Sequence, residues 1–396
     1  MDSPATAGAV LALLSASGGL RGDREASRIA LLVADPAVRD VAVGLLAAAP
    51  TTAGVEQLGQ LLLERPEVET AVVGGLASAA RHGRRTTAVA ALLRGAARGR
   101  VEAAAAAIRL GSGRVALDVL AALPRRHLDD ARIARACREA SPTTRDRLVR
   151  RAAGGDERVL AVAASARLDG VVPMLEREAR EGDAATARSA VDALARQERG
   201  EAWLALARAL DGEAGMEARA LLGTMPRSGV AHLARVARAE PRQRAVAIQG
   251  LSLAGGAGLD ALARLATRPA LYGLVVDVLE RAPAPGAVDV LAGLATGGHD
   301  EGRALVALSR RLEDGDRRAG TALLALVEDH DSRQALRLLA RYGAGAGLDW
   351  LARVAVRPSL PPAARAQLRR ALRRAQIAEG GPPRTAARRP GPAPIT

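Results

Sequence analysis

Three aspartate–arginine pairs recur in this chain, and in each the arginine follows the aspartate by four residues: Asp146 and Arg150, Asp260 and Arg264, Asp349 and Arg353. Residues four apart share one face of an α-helix, so each pair can close an ion pair that contributes about 0.2–0.5 kcal/mol. If the charges stay open, they can bind charged groups of a partner. The ion pair is favoured, because exposed pairs are common and weak.

A lone arginine and three ring-bearing residues extend this pattern. Arg235 has alanines four residues before and after it, so it either pairs with Asp260 or stays open to a partner. Trp203, His232 and Trp350 each stand directly before a leucine. Such residues commonly fill the seam between neighbouring helices, although an exposed Trp beside an Arg is typical of a binding hot spot.

Two turns combine histidine with acidic residues, His299-Asp300-Glu301 and Asp329-His330-Asp331. Zinc or a hard cation needs three or four convergent ligands. Aspartates in turns commonly cap helices instead. We therefore expect caps here, and neither a metal nor a cofactor.

The excess of arginine could bind phosphate. The formal net charge is +14, and half of it lies within residues 359–396. Between residues 71 and 101 an acid-free stretch carries six arginines: Arg81, Arg84, Arg85, Arg94, Arg98 and Arg100. Phosphate contact is possible there, but no aromatic residue offers base stacking. A solvated helix face is the alternative.

The residues that common enzymes require are missing. The chain has no Lys, which excludes a P-loop lysine and a Schiff base, and no Gly-x-Ser-x-Gly elbow. Asn and Phe are missing too, a bias typical of a GC-rich genome. We expect no enzyme.

A ladder of leucines organises these residues. Five of them stand 29 residues apart: Leu175, Leu204, Leu233, Leu262 and Leu291. The ladder continues less regularly through Leu92, Leu120, Leu148, Leu324 and Leu351. A fixed period of this size indicates stacked repeats, each too small to bury a core alone.

Each repeat has the pattern of two helices. Residues 244–253 have a helical apolar period that ends at Gly255, and a second amphipathic stretch contains Leu259, Leu262 and Leu265. Pro269 suits the first turn of the next helix. Strand patterns are absent. The Asp and Arg positions, two residues before and after the ladder leucine, fall on the face opposite to it.

This pattern resembles the short HEAT-type repeat of the phycobilisome-lyase kind over most of residues 24–360, and best over 184–297. The resemblance implies an all-α, right-handed α-α superhelix of about a dozen two-helix repeats. Its second helices would line the concave surface. A 29-residue unit is too short for the three helices of an armadillo repeat.

The domain prediction follows from this repeat. Residues 1–361 form the solenoid, most regular over 170–297 and irregular over 1–80. An Arg-rich helix, 362–378, caps it, and the Gly/Pro/Arg tail, 379–396, is disordered. The N-terminal uncharged run is too rich in Ala, Gly and Ser to span a membrane, and the one cysteine, Cys137, suits the cytoplasm.

We expect a non-catalytic scaffold that binds a protein partner through the concave face. The residues predicted to contact the partner are Arg235, Arg264, Trp203, His232, Arg353 and Trp350. The alternative is a solenoid that binds nucleic acid or another acidic polymer through residues 84–100 and the C-terminal Arg helix.

Overall fold

The computed structural model describes residues 23–49, 51–297 and 299–378, and all regular secondary structure in these ranges is helical. This confirms the all-helical prediction. The chain divides into two compact units, one ending at Gln197 and the other beginning at Glu198. Residues 1–22 of the irregular N-terminal region and the tail at 379–396 lie outside the described residues.

The first unit is a series of short α-helices: α1 (Asp23–Leu32), α2 (Arg39–Ala48), α3 (Ala53–Glu64), α4 (Glu69–Ala79), α5 (Arg85–Ala97), α6 (Val101–Leu110), α7 (Gly113–Ala122), α8 (Ala131–Glu139), α9 (Pro142–Ala153), α10 (Glu157–Ser165), α11 (Val172–Glu181) and α12 (Ala184–Arg196). The even-numbered helices pack on one another from α2 to α12, and the odd-numbered ones from α1 to α9. Each helix therefore belongs to one of two rows.

The second unit repeats this arrangement with α13 (Gly200–Arg208), α14 (Gly215–Gly223), α15 (Arg227–Ala239), α16 (Arg244–Leu253), α17 (Gly255–Ala266), α18 (Pro269–Arg281), α19 (Gly286–Gly297), α20 (Glu301–Glu313), α21 (Arg317–His330), α22 (Arg333–Tyr342), α23 (Leu348–Ala355) and α24 (Pro362–Ala378). The even-numbered helices pack from α14 to α24, and the odd-numbered helices from α13 to α21. Packing between neighbours in sequence order is consistent with an α-helical solenoid.

The ladder leucines are buried in the odd-numbered helices of each unit. All ten, from Leu92 on α5 to Leu351 on α23, lie on odd-numbered helices, and none is more than 6% exposed. One leucine per repeat at the same helical position keeps the buried face in register. The predicted role of the ladder is confirmed.

Local signals start and end the helices as predicted around residue 250. Helix α16 spans Arg244–Leu253, Gly255 follows with φ +61°, and Pro269 is the first residue of α18. Serine or aspartate caps many other helices: the Oγ of Ser112 accepts from the backbone N–H of Val115, and Asp183 accepts from that of Thr186. Each cap satisfies an N–H that has no partner within its helix.

Arginine side chains satisfy the opposite helix ends, a role that the composition alone does not reveal. The Nη1 of Arg311 donates to the carbonyls of Leu279 and Ala282, 3.0 and 2.7 Å away at the end of α18. Arg317 likewise donates to Ala346, and Arg158 to Leu120. The last carbonyls of a helix lack partners and carry partial negative charge, so a guanidinium stabilises them.

The C-terminal Arg-rich helix packs against the repeat before it. Helix α24 contacts α22 and α23 and buries Ala364, Leu368 and Ala371. Its exposed arginines include Arg369, Arg370, Arg373 and Arg374. The apolar side of α24 thus covers the last helix pair, while its basic side faces solvent.

Candidate binding surface

The charged positions of the odd-numbered helices are exposed in each of the two units, and we call these residues the Asp/Arg stripe. Its aspartates are Asp118, Asp146, Asp260, Asp289 and Asp349, and its arginines are Arg150, Arg177, Arg235, Arg264 and Arg353. All ten are exposed, while the leucines between them are buried. The helical period alone separates the two sets, because positions two residues from the leucine point away from the core.

The three Asp–Arg pairs of the stripe do not form the ion pairs that their spacing allows. Among the described residues, no carboxylate oxygen of these pairs lies within 4.0 Å of its guanidinium. The Nε of Arg150 instead donates to the backbone carbonyl of Asp146 at 3.3 Å. The interpretation as intrahelical ion pairs is therefore wrong, and the charges remain available to a partner.

Arg235 contacts His232 rather than Asp260. Its Nη2 donates to the Nδ1 of His232 at 3.2 Å. Burial, and then the positive charge of Arg235, lower the pKa of His232, which keeps the imidazole neutral and able to accept. The ring lies against Gly200, in the first turn of α13, so His232 joins two odd-numbered helices.

Both tryptophans lie in seams between helices. Trp203 is 5% exposed and lies opposite Gly229, and Trp350 is 9% exposed and lies opposite Gly320. The Nε1 of Trp203 is buried and has no hydrogen-bond partner among the described residues. The prediction that Trp203 and Trp350 contact a partner is therefore wrong: neighbouring helices already cover their rings.

Arg264 and Arg353 are two exposed arginines of the stripe. Neither guanidinium group forms a hydrogen bond or ion pair with another of the described residues. Arg264 lies on α17, next to α15, which carries Arg235, in the odd-numbered row. Arg353 lies on α23, several helices away. Of the three arginines predicted to contact a partner, Arg235 and Arg264 thus lie on neighbouring helices.

The two His/Asp turns have structural roles. Asp300 caps α20 by accepting from the backbone N–H of Arg303, and His299 hydrogen-bonds the carbonyl of Thr267 at 2.7 Å. Asp331 follows α21 in a left-handed conformation, φ +46°, and leaves the cap of α22 to Ser332. Within the described ranges, no three His, Cys, Asp or Glu side chains cluster as metal ligands would.

The basic stretch at 81–100 is partly used within the fold. Arg84 donates to the carbonyl of Ala47, and Arg85 to that of Leu110 through its Nε at 2.7 Å. The Nε of Arg100 is buried. These arginines serve helix ends or lie within the packed structure, so the stretch is not a uniformly solvated basic face.

Two cavities of the first unit escaped prediction from sequence. One, of 440 Å³, is acidic and includes Glu157, Glu178 and Asp192; burial, together with the charge of Glu157, raises the pKa of Glu178. The other, of 660 Å³, lies where α7 and α9 begin and is lined by arginines and hydroxyls without a carboxylate. A sequence signal for the second does exist, because the caps Ser112 and Ser141 stand 29 residues apart.

Comparison with known proteins assigns no family. No protein-family model matches this chain, and a search of curated proteins found no match. None of the described helices is both long enough and apolar enough to cross a membrane.

Proposed function

We propose that this protein is a non-catalytic interaction scaffold that binds a protein partner through the Asp/Arg stripe of its odd-numbered helices. The observation that supports this proposal is the open charge on Arg264 and Arg235, side by side on α17 and α15 without a carboxylate partner. Exposed guanidinium groups form strong bidentate hydrogen bonds with carboxylates. Asp260, on the same face, offers the complementary charge.

The proposal includes a finer architecture. Within each unit the helix pairs would wind into a right-handed superhelix of HEAT type, with the odd-numbered helices on its concave side. The stripe would then line the groove. A cytoplasmic location accords with the single buried, unpaired cysteine, Cys137.

A protein partner fits the stripe better than nucleic acid does. The stripe carries aspartates as well as arginines, and phosphates would be repelled by Asp260, Asp289 and Asp349. A protein surface carries both signs of charge and can complement both. The stripe therefore favours a protein.

Nucleic acid or another acidic polymer is the second candidate. A cavity of 570 Å³ between α22 and α24 is lined by Arg337, Arg341 and Arg374 and by no carboxylate. With the exposed arginines of α24, this cavity gives the C-terminal end a basic surface. Binding there should weaken steeply with added salt, because each phosphate contact releases counterions.

Capture of partners from nuclease-treated host lysate tests the first candidate. Wild type should retain a defined protein, and Arg235→Glu with Arg264→Glu should lose it, because reversed charges repel the partner's carboxylates. The matched control is Arg219→Glu, an exposed position on the even-numbered helix α14. It should capture as wild type does.

Circular dichroism melting should be nearly the same for all three proteins, since exposed charges contribute about 0–1 kcal/mol. Identical captured proteins from wild type and both variants would contradict the stripe as the binding surface. Loss of all binding above moderate salt, with nucleic acid in the untreated eluate, would favour the second candidate.

A further inference from the structure

We propose that the basic cavity at the start of α7 and α9 binds the dianion of a phosphate monoester. The cavity has a volume of 660 Å³ and lies wholly within the first unit. This site goes beyond the proposed scaffold function. It shares Arg150 with the Asp/Arg stripe, but it does not depend on Arg235 and Arg264, the arginines of the second unit that support the scaffold proposal.

Four arginines line the cavity: Arg85, Arg147, Arg150 and Arg151. The guanidinium group of Arg147 forms no hydrogen bond or ion pair with any other described residue, and its side chain lies against Gly113. Arg150 engages a backbone carbonyl through Nε. One guanidinium group can bind two phosphate oxygens at once. Arg147 and Arg150 are therefore the principal ligands.

The other two arginines are held in place by the protein. The Nε of Arg85 donates to the carbonyl of Leu110 at 2.7 Å, and that of Arg151 to Asp156 Oδ2 at 2.9 Å. Asp156 thus neutralises one of the four charges. Glu139, two residues before Ser141, is paired with Arg109 and Arg135. A net positive charge remains at the cavity.

Four hydroxyl groups also line the cavity: Ser112, Ser141, Thr143 and Thr144. Ser112 and Ser141 are the caps of α7 and α9, and they accept from the backbone N–H groups of Val115 and Thr144. The starts of two helices therefore border the same cavity and add their positive dipole ends to the arginine charges. Hydroxyls can donate to the phosphate oxygens that the arginines leave free.

The surroundings favour a single phosphate group over a polymer backbone. No aromatic residue lines the cavity, so stacked bases have no platform. The neighbouring cavity that shares Arg151 is lined by Arg125 and Arg158 as well as by Asp156 and Glu157, so it does not continue the carboxylate-free lining that a row of phosphates would need. A monoester carries nearly two negative charges on one group and suits a short, concentrated cluster of arginines.

Calorimetric titration tests the site with two probes, inorganic phosphate and a pentapeptide with phosphoserine at its centre. Wild type should bind at pH 7.5, and the affinity for the phosphopeptide should fall as pH drops through the second pKa of phosphoserine, about 6. Arg147→Gln with Arg150→Gln should reduce affinity about tenfold or more, because charged hydrogen bonds are lost. The matched control, Arg114→Gln, removes an exposed arginine of α7 outside the cavity and should change affinity less than about twofold.

The two probes distinguish the sources of the phosphate. Tighter binding of the phosphopeptide than of free phosphate identifies a phosphorylated protein side chain, and binding of phosphate alone identifies a small phosphorylated compound. Equal affinity of wild type and the double variant for both probes overturns the proposal. Tighter binding of a DNA duplex, with a steep salt dependence, would overturn it in favour of a polymer.

Discussion

The indole of Trp350 lies directly against Gly320: a Cβ atom at position 320 would stand 2.6 Å from the ring carbon Cη2. Gly320 belongs to α21, and Trp350 to α23, so the missing side chain makes room for a ring from another helix. This contact explains how one of the two tryptophans is buried in a chain of small residues.

Gly320→Ala should destabilise the protein by about 1–3 kcal/mol, because the new methyl group overpacks the ring. The matched control is Gly293→Ala, at a helical glycine with open space around it, where alanine should stabilise by about 0.5–1 kcal/mol. Urea denaturation measures both. Simple additivity of Gly320→Ala and Trp350→Leu would contradict a direct contact as the cause.

Arg311→Gln should cost about 2–4 kcal/mol of stability. The arginine side chain is 12% exposed; it pairs with Asp316 at 2.9 Å and donates to the carbonyls at the end of α18. Its loss leaves those carbonyls and a carboxylate without partners. The neighbouring Arg310 pairs with Glu280 but is 61% exposed, so Arg310→Gln should cost less than about 1 kcal/mol. Equal denaturation midpoints for the two variants would refute this difference.

Cys137 should resist labelling in the folded protein. Burial raises the pKa of its thiol to about 12, so thiolate is scarce at pH 8. Ellman's reagent should react within seconds in guanidinium chloride and very slowly in buffer. Fast labelling of the native protein would show that this part of α8 opens readily.

The same pKa shift makes stability depend on pH. The thiol ionises near pH 8.5 in the unfolded protein but stays protonated in the folded one. The free energy of unfolding that depends on this thiol is therefore at its full value below pH 8.5 and declines as pH rises towards 12. The decline is at most about 1.4 kcal/mol per pH unit. Burial raises the pKa of Tyr272 as well, and its effect has the same sign. Cys137→Ala should therefore flatten the alkaline decline without abolishing it.

Deletion of residues 229–257 should leave a folded protein. The cut joins Ser228 to Gly258, so Gly258 takes the place of Gly229 and Leu262 that of Leu233, both in odd-numbered helices. Each helix contacts its neighbours, and one whole pair can be removed in register. Helical circular dichroism per residue should be unchanged.

A shorter deletion provides the control. Removal of 229–243 eliminates most of α15 but keeps α16, so the alternation of odd and even helices is broken. This variant should lose cooperativity and associate through its exposed apolar surface. Equal melting behaviour of the two deletions would contradict modular repeats.

Much of the fold could be read from the sequence, for a physical reason. A leucine every 29 residues, within stretches of helical period, determines which face of each odd-numbered helix is buried. The prediction placed Leu262 inside and Arg264 outside, and both are so. The start of α18 at Pro269 followed from local backbone chemistry alone.

Only the tertiary structure decided which side chains of different helices contact one another. A spacing of four residues permits an ion pair but does not require one, so the ion pair that the sequence favoured for Asp260 and Arg264 was wrong. Trp203 and Trp350 became seam residues because Gly229 and Gly320 lie opposite them, a match between different helices. The cavity beside Ser112 and Ser141 likewise requires α7 and α9 to pack side by side. Helical periodicity determines the direction of a side chain, whereas its neighbours depend on how the repeats stack.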